Sequence, residues 1–129
     1  MRRVALVLVS AVLFLSACTG NADSQSGSGE AHTFAAGQAI TVTLTLKSSD
    51  DGGRRTPFRD KFRPKVEFAG QEPILCSLGV PAGDEEFVPG ETGEIEMTCN
   101  ADVTIEPDAV DFIVHESGKQ IGSGVVHLP

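Results

Sequence analysis

Positive charge is scarce in this chain. Its 129 residues hold ten Lys and Arg against eighteen Asp and Glu, a formal net charge of −8. Phosphate backbones are held by cations that release condensed counterions, so this balance excludes a generic nucleic-acid-binding surface. No apolar run reaches the roughly 20 residues that a membrane-spanning helix needs. No window repeats apolar residues at helical spacing over three turns, which argues against a helical domain. No Gly-x-x-x-x-Gly-Lys-Ser/Thr occurs, so nothing cradles a nucleotide's phosphates or holds their magnesium. His32, His115 and His127 are far apart and lack the spacing of zinc ligands. The run Asp84-Glu85-Glu86 lacks the other oxygen ligands of a calcium loop and reads as a solvated turn. No Ser/His/Asp or Cys/His arrangement can be placed. The expectation is a protein with no enzymatic activity and no cofactor.

What is present begins at the N-terminus. Met1, Arg2 and Arg3 precede Val4 to Leu15, almost wholly apolar, and then Leu15-Ser16-Ala17-Cys18. A charged start, a short apolar core and small residues at a cut make an export signal. With Cys directly after the small residues, the stretch resembles the lipobox of bacterial lipoproteins. That resemblance implies cleavage before Cys18 and acylation (palmitate-type) of both its sulfur and the new N-terminus. The protein would then be exported and anchored to the bacterial cell membrane by lipid. One acyl chain attaches only marginally, whereas two or more hold stably, at roughly 0.8 kcal/mol per buried CH₂. The alternatives are a cleaved secretory signal with Cys18 an ordinary thiol, or an uncleaved anchor.

Three segments follow: a signal over 1–17, a lipidated N-terminus and flexible linker over 18–37, and a domain over 38–129. Thr19 to Glu30 is polar and rich in Gly and Ser. It buries too little apolar surface to offset the entropy of ordering, and reads as a tether with a reach on the order of 20 Å. From Gln38 the period becomes two. Ile40, Val42, Leu44 and Leu46 alternate with threonines. Further strands are expected around Val66 and Phe68, from Ile74 to Val80, from Ile95 through Ala101 to Val103, around Phe112, and from Ile121 to Leu128. Gly122 and Gly124 mark a bulge or a close backbone approach in the last. Six short strands with turn signals between them imply a sandwich or a closed barrel, and closure removes aggregation-prone edges.

With Cys18 taken by lipid, Cys76 and Cys99 remain, an even pair in an exported protein. Both share parity with inward-facing apolar residues. A turn centred between Val80 and Gly93 sets Cys76 opposite Met97, so that one bulge would bring Cys99 into line. The pair is expected as a disulfide, against two buried thiols acting as small apolar groups.

The order of motifs then resembles the third, C-terminal domain of elongation factor Tu. The residues are Gly52-Gly53-Arg54-Arg55-Thr56-Pro57-Phe58, Phe62-Arg63-Pro64, Val88-Pro89-Gly90, Ile95-Glu96-Met97-Thr98, and the run from Phe112 to Val126. The likeness covers roughly Gln38 to Leu128. It implies an all-β, six-stranded antiparallel closed barrel, with the family's RNA-contacting Arg falling on Arg54 and the Glu of its late turn on Glu116. The chain departs from the family at His115, at Ser117 and at Ala69-Gly70-Gln71. The family's GTPase part has no counterpart here, so neither nucleotide binding nor GTPase activity is expected.

The chain from Cys18 onward has eight Lys and Arg against eighteen Asp and Glu, a balance of −10. Six of those cations, Arg54, Arg55, Arg59, Lys61, Arg63 and Lys65, fall in one segment with Asp60 alone against them. That segment is either a solvated loop or a docking patch for an anionic partner, each cation adding about 1 kcal/mol at an anionic surface. The expected function is a lipid-anchored, non-enzymatic binding module of the cell envelope, with a protein or anionic envelope component as partner. The alternative is a residual translation-factor-like role, binding RNA or a factor.

Overall fold

The computed structural model of the protein describes residues 30–129. The proposed signal, Cys18 and most of the proposed tether lie outside the described residues. Eight strands follow in order: β1 His32–Phe34, β2 Ile40–Leu46, β3 Lys65–Phe68, β4 Ile74–Leu78, β5 Thr92–Cys99, β6 Val103–Ile105, β7 Asp111–Glu116 and β8 Lys119–Val126. Six close into an antiparallel barrel in the order β2-β5-β4-β3-β7-β8, with β8 returning to β2. The all-β architecture is as the alternation implies, and of the sandwich and the closed barrel it left open, the chain forms the barrel.

Alternation builds the barrel. On β2, Ile40, Val42, Leu44 and Leu46 are buried while the threonines face outward. Ile95, Met97 and Cys99 of β5, Val66 and Phe68 of β3, and Phe112 and Val114 of β7 complete the same interior. Each large apolar side chain taken from water contributes roughly 1.5–3 kcal/mol before chain entropy is counted. No buried polar or charged side chain interrupts this core among the described residues.

β8 lies against β2 and β7 at very short range. A Cβ on Gly124 would collide with the Thr43 carbonyl oxygen and stand 2.6 Å from Cζ of Phe112. The β7–β8 register slips between Val114 and His115, where Gly122 and Gln120 are the partners. Both a bulge and a close approach therefore occur in the strand where two glycines marked them.

Three expectations need correction. The strand from Ile95 ends at Cys99, and Ala101 is exposed. Asn100 still donates its N–H to the Leu75 carbonyl, and then the chain turns. Parity ran on because Val103 and Ile105 are buried too, but in a different sheet, the β6–β1 ribbon across one end of the barrel. Order also starts before Gln38. Phe34 is 5% exposed, and His32–Phe34 pairs with residues about 70 positions away, a partnership no local pattern reveals. Finally, Cys76 lies directly opposite Cys99, and Leu78 opposite Met97. The β4–β5 turn is centred one residue further along than its turn signals imply, which moves each partner by two residues, so no bulge is needed. The two cysteines form the disulfide, with Cα atoms 3.9 Å apart.

Candidate functional site

The barrel has two unlike ends. The ribbon of β1 and β6 covers one, together with the β3–β4 turn, whose Gln71 side chain donates to the Thr104 carbonyl (2.8 Å). The chain enters the described fold here, at Glu30. Glu30, Glu72, Asp102, Glu106 and Asp108 are exposed around this end, and its segments 30–39, 69–73, 100–110 and 127–129 contain no Lys or Arg.

The other end carries the long 47–64 connection, the 79–91 loop and the Ser117-Gly118 hairpin. The 47–64 connection is shaped by its own sequence. A single 3-10 turn, Ser49–Asp51, stops at Gly52 in left-handed conformation (φ 91°). Gly53 then passes so close to the Lys47 carbonyl that a side chain would collide with it. The reversal points the chain back across the barrel mouth. Phe58 and Phe87 stack there with centroids 5.3 Å apart, and Phe62 stacks on Phe58 at 4.8 Å. The guanidinium of Arg54 lies over Phe62, 4.6 Å from its centroid.

Arg54 and Glu116, 62 residues apart in sequence, are brought together. Nη1 of Arg54 donates to Oε2 of Glu116 at 2.5 Å. Its Nε donates to the Thr56 carbonyl at 3.1 Å, and Nη2 donates to Thr56 Oγ1 (3.3 Å) and the Pro57 carbonyl (3.4 Å). Four of the five guanidinium N–H donors are thus satisfied within the fold. The arrangement pins the long connection to the β7–β8 hairpin and stacks the cation on an aromatic face.

The other five cations of the segment are differently placed. Arg55, Arg59, Lys61, Arg63 and Lys65 are all exposed, and none has an ion-pair partner among the described residues. Asp60, the only carboxylate among them, accepts the Val80 N–H at 3.1 Å. Pro64, Val66 and Phe68 face inward while Arg63 and Lys65 face outward on the same extended run. At two residues' separation their Cα atoms stand about 7 Å apart along the strand. Lys61 heads this row from the turn Arg59–Phe62, which the Phe62 N–H closes onto the Arg59 carbonyl at 3.2 Å. Lys61 occupies the turn's left-handed position, φ 67°. Glycine is the unstrained choice there, and a residue with a Cβ costs on the order of 1 kcal/mol. No feature of the sequence signals that conformation.

No protein-family model matches this chain.

The remaining sequence candidates stay apart. His115 Nε2 lies 2.9 Å from Glu67 Oε1, and His127 Nε2 lies 2.7 Å from Thr43 Oγ1 with its Nδ1 3.4 Å from Glu94. His32 packs edge-on against Phe34. Among the described residues, no group of three or more His, Cys, Asp or Glu is arranged to hold a metal ion. A surface depression of about 500 Å³ lies beside the foot of the basic row, lined by Lys65, Glu67, Pro73, His115, Ser117 and Gly118. Ser117 and the His115–Glu67 pair both line it, and no hydrogen bond joins Ser117 to His115.

Proposed function

We propose that this chain is a lipid-anchored, non-enzymatic binding module of the bacterial cell envelope, tied to the membrane by lipid on Cys18 and engaging its partner through the exposed cations of the segment from Arg55 to Lys65. The observation that carries this is the gathering of the cations, at an end that also exposes Asp50, Asp51, Asp84 and Glu85 on neighbouring loops. Lys47, the six cations from Arg54 to Lys65, and Lys119 belong to the end opposite the chain's entry or lead down from it. A fold needing these residues only for solubility gains nothing by gathering them. A closed, side-chain-filled barrel supports a role exercised through surface and loops. We read the barrel as akin to the third domain of elongation factor Tu, acting without the GTPase part of that family. The separated motifs in order support this, as does the count of six barrel strands.

Cys18→Ser tests the anchor. The variant should lose its membrane fractionation and the mass of its lipid, with the barrel's disulfide intact. Unchanged fractionation and unchanged mass would refute lipid attachment at Cys18.

A further inference from the structure

We propose that Arg59, Lys61, Arg63 and Lys65 form a docking row for a linear phosphodiester polymer of the envelope. The proposal rests on reading the chain as an envelope-binding module, and it names that module's ligand.

Shape argues for a linear polyanion. Arg63 and Lys65 face outward on one extended run, about 7 Å apart, and the turn that carries Arg59 and Lys61 adjoins its head, so the cations follow one stretch of chain instead of ringing one small anion. The interval between Arg63 and Lys65 suits a chain with one charge per short repeat. Phosphodiesters joined by a small polyol place their charges at a comparable interval, and arginine forks match phosphate oxygens.

Lys61 adds an independent argument. A left-handed turn position that glycine fills without strain is occupied by an exposed cation with no ion-pair partner among the described residues. Such an outlier runs against the fold's own preference, and points to what the side chain meets outside it.

Other occupants fit less well. A flat bilayer meets a single row of cations along one file of headgroups only, while the exposed carboxylates elsewhere on the barrel, Glu30, Glu72, Asp102, Glu106 and Asp108 among them, oppose a broader contact. An acidic peptide adding as a strand needs an open edge, but β3 is paired on both sides, by β4 and by β7. Single-stranded nucleic acid is gripped by stacking bases on exposed rings. Phe58 is buried, and the face of Phe62 is covered by Arg54.

The test uses the full chain in non-ionic detergent, titrated with poly(glycerol phosphate) at low and raised salt. Wild type should bind, with affinity falling as salt rises. Lys61→Gly should lower affinity about fivefold while its thermal midpoint holds or rises, since the change removes a cation and relieves the backbone. Lys61→Gly combined with Arg63→Gln and Lys65→Gln should lower affinity about a hundredfold and flatten the salt slope. Equal polymer affinity in wild type and the triple variant overturns the row. So does binding of anionic vesicles, or of polyuridylate, as tightly as the polymer at equal phosphate concentration. A wild type that sits in the membrane fraction yet ignores the polymer overturns the row alone. One that does neither overturns the module as well.

Discussion

Arg54 is the residue at which sequence and structure give different emphases. Motif position made it an RNA-contacting candidate and matched Glu116 to the Glu of the family's late turn, but nothing in the sequence puts the two side by side. That pairing depends on Gly52 and Gly53 reversing the 47–64 connection, and on the hairpin presenting Glu116 at the same barrel mouth. The pair is partly shielded, with side chains 17% and 35% exposed. Solvent screening therefore limits the ion pair to about 1 kcal/mol, and stacking on Phe62 adds to what Arg54 contributes. In urea denaturation, Arg54→Ala and Glu116→Ala should each destabilise the fold. The double variant should fall short of additivity by about 1 kcal/mol. Arg54→Lys should recover only part of the loss, because an ammonium cannot reach Glu116, Thr56 and Pro57 at once while lying flat on a ring. Additive single effects would show that the two groups do not stabilise one another.

At the scale of elements, period-two alternation found all six barrel strands, because each has one face buried and one wet. Their ends were harder to see. β5 and β6 share parity across a real break, since burial looks the same from sequence whether the apolar neighbour is the barrel or the ribbon. Register was legible to within two residues. The 79–91 loop sets it through contacts such as the Gly79 N–H donating to the Glu96 carbonyl, and no turn signal reports those. The disulfide stands where this uncertainty mattered most. β4 is short, with two register pairs to β3 and three to β5. The bridge closes a loop of 23 residues in sequence separation. The chain-entropy model gives a stabilisation of about 3 kcal/mol for such a loop. Cys76→Ala with Cys99→Ala should lower the free energy of urea unfolding by about that amount while leaving the far-ultraviolet spectrum that of a β protein. A loss below about 1 kcal/mol would mean that sheet and core contacts alone hold β4 in place.

Across the whole molecule, what the sequence could not show was how the barrel is closed at the end where the chain enters. Alternation needs several residues to register, and His32–Phe34 has three. Its partner strand, β6, is as short and lies about 70 positions away. Yet Phe34, Val103 and Ile105 are each 5% exposed or less, so the ribbon caps the barrel as part of its core. Ala36 and Gly37 tie it down, the first donating its N–H to Asp102 Oδ1 and the second to the Cys99 carbonyl, both at 2.9 Å. The boundary at Gln38 would therefore cut through the folded unit. A chain beginning at Gln38 loses the burial of Phe34 and uncovers part of Val103 and Ile105. Removing one buried Phe side chain costs about 3–5 kcal/mol, and folded domains have about 5–15 kcal/mol in all. Compared by urea midpoint with a chain beginning at Glu30, the shorter chain should be less stable by at least about 3 kcal/mol and should bind a hydrophobic dye. Equal midpoints would mean that the barrel interior is sealed without the ribbon, and that order beginning at His32 contributes nothing to the fold.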